Sequence, residues 1–119
     1  MFIIRREQMR VFDDHAYQQF VNDMVVRLRA HYSKQLKDVT ATDLRLMVEA
    51  GIERAEEYDV VTITDVERFL GYRVMLGRDF DTEPQTAWAG NILRNKNMSG
   101  TSKMDSIDDY MNFNPVEKK

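Results

Sequence analysis

The sequence predicts an all-α fold, a single-domain bundle of four main helices plus a short C-terminal helix. Three observations lead there. Apolar residues recur at three- and four-residue spacing through most of the chain, the signature of one buried helix face. Only two prolines and five glycines occur in 119 residues, and most lie at segment ends. Hydroxyl start signals stand before every periodic stretch after the first.

Taken in order, Met1–Arg5 is a short apolar run with no convincing strand partner later, so it reads as a segment packed on the first helix. Residues 6–32 form the longest helix, with Met9, Phe12, Ala16, Phe20, Met24 and Leu28 stepping along one face. Acids early and bases late, Asp13 and Asp14 against Arg27, Arg29 and Lys34, complement the helix dipole. Fraying is expected over Ser33–Asp38. Thr40-Ala41-Thr42-Asp43 restarts a helix through hydroxyl caps and a first-turn acid. That helix carries Leu44, Met47, Val48, Ile52, Ala55 and Tyr58, with Gly51 implying a close helix crossing. An aspartate, Asp59, occupies its stop.

Val61–Leu93 is the most specific stretch. Thr62 or Thr64 caps a helix bearing Val66, Phe69, Leu70 and Val74, and Gly77 ends it where positive φ is needed. After the loop Gly77–Pro84, Thr82 as cap, Glu83 and Pro84 restart a helix with Trp88, Ile92 and Leu93 on one face. Residues 94–101 are polar and read as a mobile connection. Thr101 or Ser102 then starts the last helix, with Met104, Ile107 and Met111 at i, i+3 and i+7, Tyr110 beside them, and Asn114-Pro115 as its stop. The expected organisation is a helical core over 1–95, followed by a flexible connection, a short amphipathic helix and a frayed tail over 96–119.

Composition narrows the function. Hydrophobic residues at 43% and charged residues at 31% fit a folded, soluble domain, and no apolar run is long enough for a membrane span. The N-terminus lacks the apolar core of a secretory signal. Zero cysteines exclude disulfides, thiolate catalysis and cysteine-bound zinc, and cytoplasm is the default location. Net charge is −3, unevenly spread: residues 1–37 carry 7 − 4 = +3 and the remainder 10 − 16 = −6. Such an acidic body repels phosphates and argues against nucleic acid as partner.

Candidate chemistry is sparse. Asp79, Asp81 and Glu83 alternate in the manner of calcium ligands, yet Pro84 and Gly90 stand where an EF-hand loop needs glycine and glutamate. His15 and His31 are sixteen residues apart on one helix, about 24 Å, too far to share a metal. No Gly-x-Ser-x-Gly, P-loop or His-Glu-x-x-His occurs, so no enzyme, cofactor or small-molecule substrate is expected. A helix-turn-helix over 42–76 fails because Asp65 and Glu67 stand where base-contacting side chains belong. Trp88 among Ala87, Ala89 and Gly90 suits a core anchor, or else a partner anchor, and Phe80 in its charged loop divides evenly between the two. Methionines suit both irregular cores and adaptable grooves; for the last helix the groove reading is the rival. The expected partner-binding residues are Phe80, Trp88, Met104, Ile107, Tyr110 and Met111.

Three blocks carry a resemblance: Ala50-Gly51-Ile52-Glu53-Arg54-Ala55-Glu56-Glu57-Tyr58, Thr64-Asp65-Val66-Glu67-Arg68-Phe69, and Leu76-Gly77-Arg78-Asp79-Phe80-Asp81 with Pro84, Trp88 and Ile92-Leu93. The stretch, about residues 44–93, resembles small bacterial helical proteins encoded in type VI secretion and toxin islands near effector, PAAR-tip and adaptor genes. Asp59 departs from the glycine usual after that tyrosine. The resemblance implies an adaptor or co-chaperone that holds an effector toxin or its adaptor before export, with no catalytic residues. An immunity protein that neutralises a cognate toxin is the alternative.

Overall fold

The computed structural model describes residues 14–113. They form α1 (Asp14–His31), α2 (Ala41–Glu57), α3 (Ile63–Leu76), a 3-10 turn (Pro84–Thr86), α4 (Ala87–Leu93) and α5 (Gly100–Phe113). No strand occurs among the described residues. The apolar N-terminal run, the expected start of the first helix at residue 6 and the stop at Asn114-Pro115 lie outside them. Helix α1 packs on α2, α2 on α3, and α5 on both α3 and α4. No helix here is long and apolar enough to cross a membrane.

The periodic stripes become one core. Phe20, Val21, Met24 and Leu28 of α1 meet Leu44, Val48, Ile52 and Ala55 of α2 and Val66, Phe69 and Leu70 of α3. The glycine inside α2 has the expected cause. A Cβ on Gly51 would stand 2.3 Å from Leu70 Cδ2 and 3.4 Å from the Arg73 side chain, so α3 crosses directly over it.

Helix starts follow the hydroxyls. Thr40 accepts from the Asp43 amide at 3.1 Å, and Thr62, rather than Thr64, accepts from Asp65 at 3.3 Å. At the far end of α2, Asp59 takes φ +62°, the left-handed conformation that glycine usually fills. The amides of Asp59 and Val60 reach back to the Glu56 and Ala55 carbonyls at 3.0 and 2.9 Å, closing a Schellman stop with aspartate in the glycine position. Gly77, at φ +113°, ends α3.

Three local expectations are corrected. Residues 33–38 do not fray. Leu36 is buried, its amide bonds to the Tyr32 carbonyl at 2.9 Å, and Arg29 donates to the Leu36 carbonyl at 2.7 Å. Thr82 caps no helix, because its hydroxyl turns back onto the Asp79 carbonyl at 3.3 Å; Glu83 takes the cap position before a 3-10 turn begun by Pro84. The start of α5 belongs to Ser99, whose hydroxyl accepts from the Ser102 amide at 3.1 Å.

The expected boundary at 95/96 separates nothing in space. Helix α5 is as long as α3, at 14 residues, and its apolar face lies in the common core. The short helix is α4, with 7 residues.

Candidate protein-binding surface

Two polar clusters determine which side chains remain at the surface. The first fastens the 77–83 loop. Asp81 is buried, and its Oδ2 accepts from Tyr58 Oη at 2.6 Å and from Arg54 Nη1 at 2.5 Å. Burial works to raise the pKa of this carboxyl, but the hydrogen bonds from Tyr58 and Arg54 outweigh it and hold the group below its ordinary value. Arg94 adds a bond to the Asp81 carbonyl at 3.0 Å, and Thr86 donates to the Phe80 carbonyl at 2.6 Å. Asp81 Oδ1 is buried without a partner. The carboxylate nearest to a calcium ligand is thus turned inward and already paired. Among the described residues no group of three or more acids or histidines gathers to hold a metal ion.

The second cluster clamps α5 onto α3. Arg68 reaches Asp105 at 2.9 Å and Asp108 at 2.6 Å. Tyr72 donates to the Met104 carbonyl at 3.2 Å and to the Asp108 carboxylate. Burial first, then the bond to Asp108, pushes the Tyr72 phenol well above its usual pKa, so it stays a donor at physiological pH. Burial opposes the Arg68 charge, yet the bonds to Asp108 and Asp105 prevail and raise its pKa. Thr101 Oγ1 adds a bond to Asp65 Oδ2 at 2.5 Å. Lys103, itself buried, donates to the Tyr58 carbonyl at 2.9 Å, satisfying one of the open carbonyls at the end of α2. A Cβ on Gly100 would meet the Asp59 carbonyl oxygen at 2.3 Å, so α5 begins in backbone contact with that same helix end.

These clamps correct half of the expected partner-binding set. Phe80, Met104 and Ile107 are all 0% exposed. Phe80 lies between Phe69 and Tyr72, with ring centroids at 5.4 and 6.3 Å. Met104 and Ile107 fill the space between α5, α3 and α4. The narrow apolar stripe of α5 suffices because the polar residues beside it, Lys103, Asp105 and Asp108, carry the rest of the attachment. Their partners lie 36 to 45 residues away in sequence, where no helical spacing could reveal them.

Of the other three residues, Trp88 and Tyr110 come together along the α4–α5 seam. The Trp88 and Tyr110 rings stack at 3.9 Å with 11° between their planes. Tyr110 is exposed, Trp88 is partly buried, and Met111 packs half-buried against the core. Phe113, one turn beyond Tyr110, is 83% exposed. Sequence reasoning missed Phe113, although its place three residues after Tyr110 could have found it. The seam thus offers two stacked rings, with an exposed third one turn further along α5.

Comparison of the chain with protein-family models, curated proteins and solved structures found no match.

Proposed function

We propose that this protein acts by binding another protein, without catalysis, through the α4–α5 seam. The Trp88–Tyr110 stack carries the reading. Two large rings held parallel at the surface have little conformational freedom left to lose, and preorganised aromatics of this kind make binding hot spots. Phe113 extends the same surface with an almost fully exposed ring. The resemblance of residues 44–93 to accessory proteins of secretion islands supports an adaptor or co-chaperone role, holding an effector toxin or its adaptor before export.

The test is co-purification of the tagged chain with the products of neighbouring genes, then measurement of affinity for whatever is retained. Trp88→Ala with Tyr110→Ala should weaken that affinity at least tenfold, about 1.4 kcal/mol, while leaving the helical content intact. Undiminished binding by the doubly substituted protein would refute the seam. An immunity role is favoured by the acid excess of residues 38–119, which suits a basic toxin. Toxin activity separates the two roles: an adaptor leaves it intact in the complex, and an immunity protein abolishes it.

A further inference from the structure

A second feature lies away from the seam residues. A half-open cavity of about 500 Å³ lies between the first half of α2, the end of α3 and the turns flanking them. That volume is in the range of small-ligand and peptide-anchor pockets. Val39, Leu46 and Met47 give it an apolar wall, and Leu46 is 58% exposed there.

Arg73 sets this cavity apart. Its residue surface is only 6% exposed, yet its guanidinium makes no hydrogen bond or ion pair with any described residue. Of the nearby acids, Asp81 is bonded to Arg54 and Tyr58, and Asp79 attracts Arg73 without bonding to it, while Arg54 and Arg78 add positive charge around it. Burial, and then the neighbouring Arg54, depress the Arg73 pKa, so the surroundings disfavour its charge. The side chain reaches the cavity across Gly51, where a Cβ would press on its Cδ and Nε at 3.4 Å. A bare glycine thus makes room for an arginine that is buried as a residue, while its unbonded guanidinium opens only onto the cavity. An arriving anion would supply the partner that the protein does not.

We propose that this cavity is an anion-binding pocket for a carboxylate on a branched apolar stem, with Arg73 as the principal contact and Arg78 as the second. A guanidinium receives a carboxylate through two parallel N–H donors, which suits a single anionic head. Val39, Leu46 and Met47 take the stem. Asp43 and Asp38 also line the cavity and repel an anion. Asp43 precedes Gly51 by eight residues, about 12 Å along the helix. The acids therefore direct the carboxylate toward the Arg73 end. The same head and stem occur in a free branched-chain acid and in the C-terminal residue of a peptide ending in leucine.

Nitrogen-15-labelled full-length protein titrated with 4-methylpentanoate, and separately with a tetrapeptide ending in a free leucine carboxylate, tests this. Each is compared with its neutral amide, and inorganic phosphate serves as the stemless anion. Saturable shifts are expected at the Arg73 side-chain N–H and at the amides of Met47, Ala50 and Gly51. Binding should be at least tenfold weaker for each amide and for phosphate. A tenfold preference for the peptide over the free acid identifies a chain terminus as the occupant, and the reverse identifies a small acid. Arg73→Met should abolish the shifts, and Arg78→Gln, at an exposed position, should weaken binding at least threefold even if the Arg73 variant does not fold. Amides binding as well as acids, phosphate binding as well as either, or no saturable shift with either carboxylate would overturn the proposal. The seam variants Trp88→Ala and Tyr110→Ala leave the titration unchanged, so the two sites fail or stand separately.

Discussion

Replacing Ile107 by alanine decides whether α5 is part of the core or an arm resting on it. The side chain is 0% exposed. Three carbons are removed, worth roughly 0.8 kcal/mol each in transfer from water, or about 2.4 kcal/mol. A residual void of some 60 Å³ at ~24 cal/mol per Å³ adds up to ~1.5 kcal/mol if the surroundings do not collapse. The expected loss is therefore about 2.5 to 4 kcal/mol. A weakly resting helix would lose under ~1 kcal/mol at the same position. Urea unfolding followed by circular dichroism gives the total. The sole tryptophan, stacked on Tyr110, reports the α4–α5 seam through its fluorescence. The two signals should shift together, as they do when one cooperative unit unfolds. A loss below 1 kcal/mol, or fluorescence changing at lower urea than helix content, would refute the placement of α5 in the core.

Other expectations concern single positions. Gly100→Ala should destabilise by about 1–3 kcal/mol, because the new methyl meets the fixed Asp59 backbone at 2.3 Å and overpacking outweighs the helical preference for alanine; a melting temperature at or above wild type would contradict it. The folded pKa of Asp81 lies below its ordinary 3.8. Its stabilising contribution is therefore complete above about pH 4 and fades as pH falls further toward the folded pKa. Acid titration should show wild type losing stability more steeply below pH 4 than Asp81→Asn, and parallel curves would oppose this. Millimolar calcium should leave the melting temperature unchanged, since Asp81 is occupied by Arg54 and Tyr58; a saturable rise of several degrees would contradict it.

Helix boundaries were largely legible because caps are local: Thr40 and Gly77 act within a few residues of themselves. The crossing implied by Gly51 was legible for a similar reason, since a helix interior tolerates glycine poorly without a packing cause. The fate of Met104 and Ile107 was not. A stripe at i and i+3 looks the same whether it faces a core or a groove, and the polar contacts that decide it join α5 to α3 and to the end of α2. Asp59 stood at its helix stop in the sequence, but its left-handed conformation did not, because glycine usually fills that position. Phe80 was divided evenly between core and partner by its charged neighbours, and burial of Asp81 beside it resolves the matter.

The seat of Lys103 on the Tyr58 carbonyl has a consequence for synthesis. The two residues are 45 positions apart, and Gly100 rests on the adjoining Asp59–Val60 backbone. At ~5–20 residues per second, a growing chain needs about 2 to 9 seconds to pass from one to the other. During that interval α2 can form its turns, but its last carbonyls face water and the pocket for α5 stands open. A chain arrested before residue 100 should therefore expose apolar surface that a helix-holding chaperone could recognise, and completion of α5 would end that exposure.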